Sequence, residues 1–106
     1  MISEELSEEL SAKISQAAST TLLRIARSYY ARGLFHQAAS PYLKIVSYYP
    51  QSEAAPAAVE GLITIATTME QQNHRRMAMA VYERLERAAR FQRWDGHAIS
   101  LDGDIV

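Results

Sequence analysis

A shift of 40 residues lays this chain over itself. Leu22 falls on Leu62, Leu23 on Ile63, Ile25 on Ile65 and Ala26 on Ala66. Further on, Ala38 falls on Ala78, Tyr42 on Tyr82 and Ile45 on Leu85. Gly33 falls on Asn73, the other residue type that tolerates a left-handed backbone. Such a repeat constrains the fold before any motif does, because each copy is one supersecondary unit that must hide its apolar face against a neighbour. The matched positions are spaced as the inner face of a helix hairpin. Small Ala26 and Ala38 let two antiparallel helices approach closely, and large Tyr29 and Tyr42 fill the wedge between that pair and the next.

Punctuation points the same way. Four glycines and three prolines leave long stretches of Ala, Leu, Glu, Gln and Arg unbroken, and strands would need more turns than that. A first helical stretch spans residues 3 to about 32. Ser3 is its N-cap, and Glu4 and Glu5 stand in the first turn, where the helix dipole favours anions. Ile2, Leu6, Leu10 and Ile14 recur every four residues as one apolar stripe. The cluster Ser19-Thr20-Thr21 predicts a break or bend there, so residues 1–18 read as a separate amphipathic helix. Gly33 ends the stretch. A second helix runs from Phe35 to Tyr49 and stops at Pro50. A third starts near Glu53 or Pro56 and reaches Gln72, Asn73-His74 marks a turn, and a fourth runs from Arg75 to Arg93. Two hairpins, 19–52 and 53–93, follow from this, with residues 94–106 as a tail.

Composition narrows the function classes. The formal net charge of −1 leaves no global field to draw nucleic acid or an anionic membrane. The absence of cysteine excludes disulfides and thiolate metal sites. No apolar run approaches the roughly 20 residues of a membrane span. The N-terminus is acidic, unlike that of a signal peptide, so a cytoplasmic setting is expected.

The residues of the repeat resemble the tetratricopeptide repeat. Leu22, Ile25, Ala26, Tyr29, Gly33, Phe35, Ala38, Tyr42 and Pro50 stand in that family's marker places, with Leu22 where tryptophan is usual and Ile45 where a small residue is usual. The second copy, with Leu62, Ile65, Ala66, Met69, Asn73, Ala78, Tyr82 and Leu85, is weaker and lacks the closing proline. Pro41 falls inside the second helix, and Ala39-Ser40-Pro41-Tyr42-Leu43 is similar to repeats of the kinesin-light-chain type; a local kink is expected there. The resemblance implies an all-α, right-handed helical hairpin array of two repeats behind an N-terminal amphipathic helix. It implies a non-catalytic module, an adaptor, scaffold or assembly factor, that binds a protein or peptide partner. The groove positions it implies are Thr20, Leu23, Arg27, Tyr30 and Ala31 in the first copy, and Glu60, Ile63, Thr67, Glu70 and Gln71 in the second. Leu23 and Arg27 replace the lysine and asparagine that clamp a C-terminal carboxylate in chaperone-binding relatives, so a mixed apolar and polar segment fits better. Two repeats are fewer than the three or so of a self-sufficient stack, which predicts homo-oligomers, or an N-terminal helix folded into the groove over Leu23 and Ile63.

No catalytic, cofactor or metal constellation competes with this. His36, His74 and His97 have no metal-ligand spacing, and there is no glycine-rich phosphate loop or nucleophile elbow. Arg75, Arg76, Arg84, Arg87, Arg90 and Arg93 load the fourth helix, and with Phe91 and Trp94 they raise an RNA contact as an alternative. Glu83–Arg87 and Glu86–Arg90 at i, i+4 favour instead a solvated, self-paired face. A dedicated secretion or assembly chaperone, holding one partner's helix, is a further alternative.

Overall fold

A computed structural model describes the backbone of residues 2–105 and, within it, the side chains of residues 5–90. It contains four helices: α1 (Ile2–Ala31), α2 (Phe35–Tyr48), α3 (Ala54–Gln71) and α4 (Arg75–Ile105). Consecutive helices pack as α1 on α2, α2 on α3 and α3 on α4; α1 also touches α3, and α2 touches α4. This is a hairpin array in which each pair leans on the next. Among the described residues no helix is long and apolar enough to cross a membrane.

The two hairpin turns are copies of each other. Gly33 has φ 78° and Asn73 has φ 67°. The Leu34 N–H donates to the Tyr29 carbonyl at 2.9 Å and the Gly33 N–H to the Tyr30 carbonyl at 2.9 Å. Forty residues on, His74 donates to Met69 at 2.8 Å and Asn73 to Glu70 at 3.0 Å. Both are Schellman closures, which satisfy the carbonyls left free at a helix end. The next helix then starts at once, with Ala38 N–H on the Leu34 carbonyl and Ala78 N–H on the His74 carbonyl.

Three local expectations fare differently. α1 runs through Ser19-Thr20-Thr21 without a break. Ser19 does not cap a new helix; it is fully buried, and its hydroxyl donates to the Gln16 carbonyl at 3.1 Å within the same helix. The N-terminal stripe is therefore an extension of the first repeat helix and does not fold back into a groove. α2 continues through Pro41, which is buried. The carbonyl that loses a donor belongs to Gln37, an exposed residue. The α4 backbone continues past Arg93 into the stretch read as a tail; the side chains of Phe91, Arg93, Trp94 and His97 lie outside the described ones.

The core forms where the hairpins meet. Ile45, Leu62 and Ile65 are its large, fully buried side chains, set among Ala26, Ala38, Ala58 and Ala66. The alanines permit close helix contact at almost no loss of side-chain entropy. Equivalent positions in the two copies are not equally covered. Ile65 is 0% exposed and Ile25 is 40% exposed, because α1 and α2 pack over α3 while no described helix packs over the far side of α1.

The turns supply a direct test. Gly33→Ala and Asn73→Ala should each lower the unfolding free energy in urea titrations by about 1–2 kcal/mol, the cost of a left-handed backbone with a Cβ. Asn73→Gly should change it little.

Candidate protein-binding cleft

Where α1 crosses α3, a surface cleft of about 380 Å³ opens. Arg27 and Tyr30 of α1, Tyr42 of α2, and Ala57, Glu60, Gly61 and Thr64 of α3 line it. Each wall has a local reason. Arg27 and Tyr30 are three apart on one face of α1. The Tyr30 ring is held by Phe35 across the turn, with centroids 5.1 Å apart and planes tilted by 56°, an arrangement aromatic pairs favour. Thr64 turns its hydroxyl onto its own helix, donating to the Glu60 carbonyl at 2.9 Å.

Tyr42 joins the three helices. It is almost fully buried, and its ring lies directly on Gly61, so that a methyl group at that position would overlap the ring. A glycine inside a helix costs roughly 1 kcal/mol relative to alanine, and here it makes room for the tyrosine. Burial pushes the Tyr42 phenol above its ordinary value of 10.0; the nearby Arg27 guanidinium pulls the other way, and Tyr30 adds to the rise. The second repeat makes a related link. The Tyr82 hydroxyl donates to Glu70 Oε1 at 3.1 Å and lies 3.4 Å from Thr67 Oγ1. Arg27 and Thr67 are equivalent, as are Tyr30 and Glu70. In both copies the second-helix tyrosine lies beside these two positions of the first helix, Tyr42 lining the cleft with Arg27 and Tyr30.

The residues read from the sequence as a groove separate into groups. Arg27, Tyr30 and Glu60 come together in the cleft. Leu23 is half-buried and packs against the core. Thr67 and Glu70 are engaged by Tyr82, and Ile63, Thr67, Glu70 and Gln71 are exposed on α3 outside the cleft. Sequence reasoning missed Tyr42 as a wall, Ala57, Gly61 and Thr64. Gly61 was the available signal, since a glycine inside a helical pattern marks a close approach. On α4, Arg90 pairs with Glu86 at 3.1 Å, both side chains being well exposed. An exposed pair of this kind adds little stability.

Chemically, the cleft offers one cation, one anion, two aromatic rings and a floor of small residues. These groups can stack on a planar side chain and hydrogen-bond both ends of an amide. Among the described residues no group of three or more His, Asp and Glu side chains is placed to hold a metal ion.

Gly61→Ala should lower the melting temperature and cost about 1–3 kcal/mol of overpacking, against the smaller gain in helix propensity. Gly61→Ala combined with Tyr42→Leu should recover part of the loss. The raised Tyr42 phenol predicts stability that is complete below pH 10 and falls as pH climbs through the folded-state value, since the folded protein then holds the proton more tightly. Tyr42→Phe should flatten that alkaline fall in pH-dependent melts.

A family model of the tetratricopeptide repeat matches residues 20–52. No curated protein and no solved structure gives a significant match. The matched segment begins in α1, just after the buried Ser19, and closes in the turn after α2. The match marks residues 20–52 as a tetratricopeptide repeat, and the paired hairpins with their duplicated turns make the four helices a tetratricopeptide-like array.

Proposed function

We propose that this domain is a non-catalytic protein–protein interaction module, an adaptor, scaffold or assembly factor, that binds a segment of another protein in the α1–α3 cleft and self-associates. The observation that carries the reading is the cleft itself, where Arg27, Tyr30 and Glu60 converge on a floor of Ala57 and Gly61. Two helices from successive repeats build it, which suits an extended or helical peptide lying along them. The tetratricopeptide repeat is a protein-interaction repeat, and that supports the class of partner.

The alternatives draw less support. A role as an RNA contact would rest on the arginines of α4, one of which is already paired to Glu86 within its own helix. A dedicated chaperone would use the same cleft; it differs in needing its partner to stay soluble.

Affinity capture with the wild-type domain and with Arg27→Glu/Tyr30→Ala, followed by mass spectrometry and titration of the recovered protein, tests the cleft. The double variant should bind the recovered partner at least tenfold more weakly, about 1.4 kcal/mol or more, with unchanged far-UV circular dichroism. Equal binding by both proteins would exclude the cleft. Steep loss of binding between low and moderate salt, with RNA recovered in place of protein, would favour the α4 arginines.

A further inference from the structure

The face of α1 turned away from the bundle carries an apolar row without cover. Leu6, Leu10, Ile14 and Ile25 are 53%, 59%, 66% and 40% exposed. Beside Ile25, Tyr29 lines an outer cleft with Arg24, Ser28 and Arg32. Between the two halves of the row lie exposed Ala17, half-exposed Ala18 and exposed Thr21.

We propose that this face pairs with a second copy of itself, antiparallel, about a twofold axis at Ala17 and Ala18. The inference rests on the reading of the domain as an interaction module only for its self-association; the cleft plays no part in it. Two observations carry it. The first is register. Leu6, Leu10, Ile14 and Ala18 form one row at four-residue spacing, and Ala17, Thr21, Ile25 and Tyr29 form another. The twofold axis exchanges the two rows. It sets Leu6 level with the partner's Tyr29, Leu10 with the partner's Ile25 and Ile14 with the partner's Thr21. The alanines at the centre let the two backbones close, and rows of this spacing are the ridges that interlock in helix packing.

The second observation is charge. Glu5, Glu8 and Glu9 crowd the N-terminal third of α1, and no acidic residue then occurs before Glu53. Arg24, Arg27 and Arg32 occupy the other end of α1. An antiparallel pair brings the acidic end of one α1 alongside the basic end of the other, with Glu9 of one copy about 3 Å along the axis from the level of the partner's Arg24. A parallel pair would instead set the two acidic ends level with each other. Opposite charges at the rim select this register more than they add affinity, and the apolar row supplies the affinity. The interface is isologous, so it closes as a dimer and does not propagate.

Sedimentation velocity at micromolar concentration should find the wild-type chain as a dimer. Ile14→Glu should raise the dimer dissociation constant by about tenfold or more, with unchanged far-UV circular dichroism because Ile14 touches solvent. Glu9→Arg and Arg24→Glu should each weaken the homodimer, and an equimolar mixture of the two should form a heterodimer, since every rim contact is then between opposite charges. The chain has no cysteine of its own, so Ala18→Cys should form a disulfide-linked dimer on oxidation. Leu6→Cys should not, its two copies being about 35 Å apart at 1.5 Å per residue. A monomeric wild type, a mixture that associates no better than either variant alone, or ready cross-linking of Leu6→Cys would overturn the proposal. None of these results would alter the capture experiment on Arg27 and Tyr30, which tests the cleft separately.

Discussion

Tyr42 lying on Gly61 is the contact on which the rest of the structure depends. It comes from α2, sits on α3 and reaches Arg27 of α1. One side chain thereby sets how the first hairpin leans on the second. The lean exposes one side of the α1–α3 crossing as a cleft and buries the other as the core of Ile45, Leu62 and Ile65. A larger residue at Gly61 would push the hairpins apart, and a smaller one at Tyr42 would leave a void. Cores tolerate neither well.

A repeat of two makes an interior and two edges out of one pattern. Leu22 and Leu62, and Ile25 and Ile65, are equivalent by sequence. Only the second of each pair is fully buried. Among the described residues, part of the apolar surface of Ile25 therefore stays open to solvent. The same asymmetry divides the tyrosines. Tyr42 is covered by the following repeat, while Tyr82 is half-buried and turns its hydroxyl to Glu70 and Thr67. Edges of this kind are where a short helical array meets a partner or another copy of itself.

The helix limits were almost all legible before the structure. Gly33 and Asn73, Pro50 and the spacing of the apolar residues act through local backbone sterics, which the chain carries wherever it folds. Ser19 misled because a serine inside a helix and a serine at its start look alike in sequence. Which one it is depends on whether other helices pack against that turn, and here Ser19 is completely buried. The assignment of groove residues was legible in part. Arg27 and Tyr30 were found from their repeat positions, but Leu23, at a neighbouring position of the same helix, turns into the core.

What the sequence determined by itself is the helical character of the chain, its two matched turns and the stripe on α1, since periodicity and turn chemistry act over a few residues. What only the tertiary structure decided is which side of each helix is covered. Tyr42 became a wall of the cleft, Ile25 an edge residue and Ile65 a core residue, although the repeat pairs the last two. The physical reason is that burial belongs to the neighbour as much as to the residue. A sequence repeat shows where apolar side chains lie on a helix, and only the packed array shows which of them has another helix to lie against.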